Sequence, residues 1–167
     1  MRRPPGGVNR LWAPWRMTYV GGSSAPVGCI FCAALAAGDD IKYLILQRSR
    51  LAFLILNAYP YTPGHLMAVI NRHVGALAEA APEELADAMG LAGRATRALT
   101  DEYRAEGFNV GVNQGRVAGA GVEGHLHVHV VPRWNGDTNF MPVLGETRVL
   151  PEALEATYAR LKGRLDG

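Results

Sequence analysis

Apolar and polar positions along the chain change period several times, and each change marks an element. Residues 1–10 are rich in Pro, Gly and Arg and are expected to form a flexible N-terminal arm, while "LWAPWRMTYV" sets two Trp and a Tyr where packing on another surface is expected. "GGSSAP" reads as a loop, and a short helix is expected from about Cys29 to Ala37, with Gly38 placed to end it. "KYLILQ", "LAFLILN" and "HLMAVIN" are strand candidates, separated by "RSR" and by "AYPYTPG". Such short connections favour antiparallel pairing. From Pro82 to Glu106 the apolar step becomes three and four residues, through Leu85, Met89, Ala92, Thr96, Leu99 and Tyr103. Pro82 suits a first turn, and Glu83 and Glu84 lie at the positive end of the dipole, so this is the longest predicted helix. "FNVGVN" and "HLHVHVVP" alternate as strands on either side of the glycine-rich "QGRVAGAGVEG", and a final amphipathic helix is expected from about Pro151 to Leu165. This order predicts a single α+β domain over residues 11–167: an antiparallel β-sheet of about five strands covered on one face, one long helix, and shorter N- and C-terminal helices.

Composition narrows the function. The chain has 167 residues, 49% of them hydrophobic and 19% charged, which suits one domain with a buried core. Its 17 basic and 15 acidic side chains give a net charge of +2 without any run of Lys or Arg, so the electrostatic footprint of a nucleic-acid binder is missing. Small anionic ligands remain compatible. No apolar stretch approaches the ~20 residues of a membrane span, and no apolar signal region follows "MRRPPGGVNR", so the sequence reads as soluble and cytoplasmic.

The chemistry concentrates in "EGHLHVHVVPRW", where His125, His127 and His129 occupy alternate positions and Leu126, Val128 and Val130 lie between them. Strand geometry places the three imidazoles on one face, roughly 6.5–7 Å apart from Cα to Cα, with the aliphatic residues toward the core. That face is expected to be a surface. It could be a solvated strand, a catalytic metal site with an open position, or a site where one neutral imidazole attacks phosphorus while its neighbours bind or protonate phosphate oxygens. The preceding "NQGRVAGAG" carries glycines that let backbone N–H groups close on an anion, which favours phosphorus chemistry.

Cys29 and Cys32 are the only cysteines and are spaced C-x-x-C. One close pair is no disulfide framework, and the antiparallel pattern lacks the βαβ context of a thioredoxin-type motif. Two thiolates could anchor a closed tetrahedral zinc site only with two of the five histidines, the alternative being two buried thiols. Trp12, Trp15 and Trp134 could stack on a base, and Arg16, Arg116 and Arg133 could clamp distal phosphates, although core and surface roles are the commoner fates of such residues.

"HLHVHVVPR" resembles the signature of the histidine-triad nucleotide-binding proteins, and the likeness extends to the C-x-x-C, to "LNAYPYTPGHLMAVINRHV" and to "VGVNQG". The segments "NRLWAPWRMTYV" and "PRWNGDTNFMPVLGETRVLPE" resemble the branch containing the dinucleoside tetraphosphate phosphorylases. The resemblance implies a nucleotidyl transferase that cleaves diadenosine tetraphosphate with phosphate to ADP and ATP through a nucleotidyl-histidine, with a hydrolase or a non-catalytic nucleotide-binding module as alternatives. It implies that His127 is the nucleophile and that His129 binds phosphate oxygens and assists the leaving group. Asn113 would hydrogen-bond the scissile phosphate, Asn57 would contact ribose hydroxyls, and His65 would support the nucleophile's strand. Where the family often has a Gln or Ser donor, Gly121 and Val122 stand here, so the amides of Gly119, Ala120 and Gly121 are expected to bind phosphate. The resemblance also implies a structural zinc held by Cys29, Cys32, His73 and His125, no metal at the reacting phosphorus, and a homodimer.

Overall fold

A computed structural model of the chain describes residues 28–137 and 152–166, so the expected arm at 1–10, the Trp-rich segment and Pro151 lie outside the described residues. The described chain runs α1 (Ile30–Ala37), α2 (Asp40–Tyr43), β1 (Ile45–Arg48), β2 (Ala52–Leu56), β3 (Leu66–Ile70), α3 (Pro82–Tyr103), β4 (Gly107–Gly111), β5 (His127–Arg133) and α4 (Leu154–Leu165). The five strands form one antiparallel-paired sheet in the order β1-β2-β3-β5-β4. β5 therefore inserts between β3 and β4, and the chain reaches β4 from β3 by way of α3.

Local chemistry accounts for most boundaries. Gly38 ends α1 in the left-handed conformation, at φ 68°. The expected strand at "KYLILQ" loses its first residues to α2, because the Asp39 carboxylate accepts the Lys42 N–H at 3.1 Å and caps a single helical turn. Leu44, at φ 59°, then turns the chain into β1. In α3 the Glu84 carboxylate accepts the Ala81 N–H at 2.8 Å and pairs with Arg72 at 2.7 Å, closing the helix start onto the segment after β3. The buried stripe of α3 is Ala88, Leu91, Ala92, Ala95, Ala98 and Leu99, whereas Met89 is exposed.

Strict alternation divides the sheet's two faces. Leu46, Leu54, Leu56, Leu66, Ala68, Ile70, Val128 and Val130 pack under α3 and α4 in the main core. Phe53, Ile55, Met67 and Val69 point the other way and meet Phe31 and Ala34 of α1. The expectation of a sheet covered on one face is corrected: every residue of β2 and β3 is buried, because α1 lies across the second face. α4 is fastened to β1 by the Tyr158 hydroxyl donating to Ile45 O at 3.2 Å and by Lys162 Nζ donating to Leu46 O at 2.9 Å. No described helix is long and apolar enough to cross a membrane.

Candidate active site and metal cluster

All five histidines of the chain fall in one row. Ring centroids step from His73 to His125 at 5.2 Å, from His127 to His129 at 4.9 Å and from His129 to His65 at 5.2 Å. The row begins just before β5. Leu126 N–H donates to Val74 O at 2.7 Å, which anchors His125 to the segment after β3. Gly75 permits this approach, since a Cβ there would lie 2.8 Å from Glu123 O.

The alternating histidines share a face as expected, but that face is not a surface at its first two positions. His125 is 0% and His127 4% exposed, because Phe31 of α1 covers them with ring centroids at 5.4 and 5.2 Å. Burying imidazoles is tolerable here because each has a hydrogen-bond partner.

Those partners determine which nitrogen does what. His125 Nε2 lies 2.7 Å from Ile70 O, and a carbonyl can only accept, so Nε2 carries the proton and Nδ1 is left as a ligand atom. That Nδ1 is 3.2 Å from Cys29 Sγ and 3.5 Å from Cys32 Sγ, and His73 Nδ1 is 3.4 Å from Cys32 Sγ. All four ligand atoms lie within 4.8 Å of one another. Metal–sulfur bonds of ~2.3 Å and metal–nitrogen bonds of ~2.0–2.1 Å in a tetrahedron require ligand separations of roughly 3.4–3.8 Å, so the three short contacts already approach the required set. A backbone acceptor fixing the far nitrogen of a ligating histidine is the usual support of such a centre. Burial, followed by the adjacent Cys29, pushes the Cys32 thiol above its ordinary pKa, so this thiol resists ionising until a cation is brought to its sulfur. The four residues form a group that could hold a metal ion.

His127 Nδ1 lies 2.7 Å from His125 O, so it too must donate, and in the neutral ring the lone pair sits on Nε2. Burial pushes this imidazole's pKa below its ordinary value and outweighs the opposing effect of that hydrogen bond, so the ring is neutral at neutral pH. His129 is half-buried. Tyr61 N–H donates to His65 Nδ1 at 3.1 Å, so a neutral His65 donates from Nε2 to His129 Nδ1, 3.0 Å away. A neutral His129 then carries its proton on Nε2. The row thus sets a lone pair on His127 beside an N–H on His129, with ring planes at 74°.

The other expected residues are placed less closely. Asn57 brings Nδ2 to 3.4 Å from His65 Nε2 while its Oδ1 accepts the Tyr59 N–H at 2.9 Å. His65 reaches His129 rather than His127. Asn113 stands two residues beyond Gly111, which pairs with His129. In the glycine-rich loop, Gly119 N–H donates to Arg116 O at 2.9 Å and Ala120 N–H to Gly115 O at 3.3 Å, so both amides are spent on the loop's own turn. Gly115 and Gly119 take φ 82° and 88° to make that turn. Trp134 packs against the main core and donates from Nε1 to Tyr103 O, and Arg133 is engaged by Asp137 and Asn109, so both have structural roles. Trp12, Trp15 and Arg16 lie outside the described residues. Phe31 and the Ile70 carbonyl were not anticipated. "CIFC" holds the signal for Phe31, since the aromatic lies between the two expected ligands, whereas no pattern in the sequence marks a backbone carbonyl.

Residues 39–136 match the family model of the HIT domain. AP-4-A phosphorylase of Mycobacterium tuberculosis (strain ATCC 25618 / H37Rv) is 40% identical over 158 residues, covering 90% of this chain and 80% of that protein. The asymmetrical bis(5'-nucleosyl)-tetraphosphatase of Schizosaccharomyces pombe is 30% identical over 108 residues, covering 65% of this chain and 57% of that protein. Among solved structures, a zinc-bound histidine triad family protein from Mycobacterium smegmatis superposes with a TM-score of 0.69 at 27% identity, covering 83% of this chain and 94% of that one. A shared strand order could arise by convergence, but the domain match over the whole described sheet, together with an alignment at 40% identity along nearly the whole chain, could not: this chain belongs to the HIT domain family.

Proposed function

We propose that this chain is a dinucleoside polyphosphate phosphorylase, converting diadenosine tetraphosphate and phosphate to ADP and ATP. The observation that carries the proposal is the buried, Nδ1-bonded His127, whose Nε2 lone pair stands beside the His129 ring. The likeness to AP-4-A phosphorylase supports the choice of substrate. In this reading His127 Nε2 attacks the phosphorus next to one adenosine, the bond from that phosphorus to the bridging oxygen breaks, and ATP leaves with the electron pair. His129 donates from Nε2 toward the departing oxygen, where charge develops. Phosphate then attacks the same phosphorus, the N–P bond breaks, and ADP is released as His127 recovers its lone pair.

The remaining roles are assigned by the family resemblance and the sequence reading. Asn113 and the Gly121 amide are assigned to the phosphate oxygens, and Asn57 to the ribose hydroxyls. His65 acts through His129, and Gly119 and Ala120 shape the loop. Zinc is the metal proposed for Cys29, Cys32, His73 and His125, since two thiolates with two imidazoles suit it. Bound there, it would cross-link α1 to the start of β5 and supply no chemistry at phosphorus. β4 is an edge strand of the described sheet with Val110 43% exposed, which suits the expected homodimer.

Incubation with labelled diadenosine tetraphosphate, with and without phosphate, tests the proposal. ADP and ATP formed only with phosphate support it. AMP formed without phosphate would instead establish the hydrolase reading, which the likeness to the tetraphosphatase favours. Binding without products would leave a recognition module. An added nucleotide mass on the peptide spanning 117–133 would identify the covalent step.

A further inference from the structure

The segment between β2 and β3 is more tightly built than its role as a connection requires. Asn57 N–H donates to His65 O at 3.0 Å, His65 N–H to Thr62 O at 3.1 Å, and the Thr62 hydroxyl to Pro132 O at 3.0 Å. Gly64 takes φ 78°, a conformation that strains any side chain placed there, and a Cβ would also lie 2.6 Å from Leu99 Cδ2 in the core. Pro60 and Pro63 restrict the backbone on either side of Tyr61 and Thr62. All of this fixes one residue against the histidine row. The Tyr61 ring lies over His65 at 4.5 Å between centroids and over His129 at 6.2 Å, with only 23° between its plane and that of His129. Its backbone N–H simultaneously occupies His65 Nδ1.

We propose that Tyr61 is the positioning residue for His129: its N–H selects the nitrogen that His65 offers, and its ring holds the His129 plane so that the proton on Nε2 is aimed into the site. The two contacts act together. Without the N–H, His65 could take the other tautomer and would present a lone pair to His129 Nδ1, which would then have to carry the proton itself. Without the ring, His129 keeps its partner but gains rotational freedom about its side-chain bonds, and a donor misplaced by about 1 Å forfeits much of its effect on a transition state. Aromatic stacking of this kind holds orientation without any directed bond, so Phe should serve as well as Tyr. Tyr61 is 36% exposed, so its truncation does not open the core.

The kinetic consequence rests on the phosphorylase reading, but the geometry does not, and the experiment separates the two. Nitrogen-15 NMR of the full chain detects scalar couplings across N–H···N hydrogen bonds. Couplings are expected from Tyr61 N–H to His65 Nδ1 and from His65 Nε2–H to His129 Nδ1. In Tyr61→Ala, which keeps the backbone N–H, the first coupling should persist, the second should weaken as the His129 ring gains freedom, and kcat should fall about tenfold with KM within twofold, the signature of a group that acts in the transition state. Tyr61→Phe should restore both. Wild-type couplings and kcat in Tyr61→Ala would overturn the proposal, as would a Phe variant as impaired as Ala, or a wild-type His65 protonated on Nδ1. Weakening of the second coupling in Tyr61→Ala, in a protein that processes no dinucleoside polyphosphate, would refute the phosphorylase reading and leave the positioning role standing. The amide spectrum of each variant reports whether it remains folded.

Discussion

The two faces of the sheet are built on one alternation and do opposite work. Under α3 and α4 the side chains are aliphatic from β1 to β5, so burial there is purely a matter of apolar area and volume. On the α1 face the apolar residues of β2 and β3 give way along β5 to imidazoles, and burial is tolerated because each ring nitrogen with a described partner has a definite role. The lesson is a division of labour: one face is stable for want of polar atoms, while the other holds imidazoles in fixed orientations through the partners of their described nitrogens.

If that division is real, the largest effect comes from His127→Asn. It should lower kcat by roughly 10⁴-fold, about 5.5 kcal/mol in the barrier, abolish any nucleotidyl adduct in mass spectra, and leave both the unfolding midpoint and bound zinc near wild type. Loss of zinc with the substitution would show that the ring is a ligand rather than a nucleophile. Leu99→Ala strikes the opposite face, where the side chain is fully buried. Denaturant unfolding should show a loss of about 2–5 kcal/mol, with kcat per folded molecule unchanged within twofold.

Smaller changes probe the boundary between the faces. Cys32→Ser should weaken metal binding by roughly 100-fold or more, judged against the 10–100-fold cost of disturbing even the outer support of a ligand. A competing chelator would measure this, and an unchanged affinity would remove Cys32 from the metal group. Phe31 and its cover over His127 should loosen in parallel, seen as faster hydrogen exchange in α1. The mildest effect belongs to Glu84→Gln on the aliphatic side. The Arg72 guanidinium and then the Ala81 N–H hold the Glu84 carboxyl down at about 2, from an ordinary 4.5. A carboxylate with a lowered folded pKa contributes above its unfolded pKa, so the stability gap between wild type and variant should be full above pH 4.5 and close as pH falls toward 2. A gap that persists at pH 2 would mean that the ion pair is not its source.

Much of this was legible because it depends on neighbours along the chain. The end of α1 at Gly38, the starts of α3 and β2, and the sidedness of His127 and His129 against Val128 and Val130 all follow from local conformation and period. α2 is not legible from periodicity although its capping Asp39 is in plain sight, because four residues carry no period. The Met89 side of α3 is ambiguous in the sequence because positions three and four apart compete for the same stripe, and only the partner surface decides between Ala88 and Met89. The amides of Gly119 and Ala120 were expected to face an anion, yet a glycine-rich loop uses some of its own donors to close, and the sequence does not say which.

By itself the sequence determined the two periods, the single-face run of imidazoles and the presence of two thiols near a helix start, since each is set by chain geometry over a few residues. Tertiary structure alone decided that α1 would bury His125 and His127, that Cys29 and Cys32 would meet His73 and His125 across more than forty residues, and that carbonyls of Ile70 and His125 would hold the protons on the chosen nitrogens. The physical reason is that a tautomer and a ligand set depend on which atoms converge in space, and convergence between distant segments is a property of packing rather than of spacing.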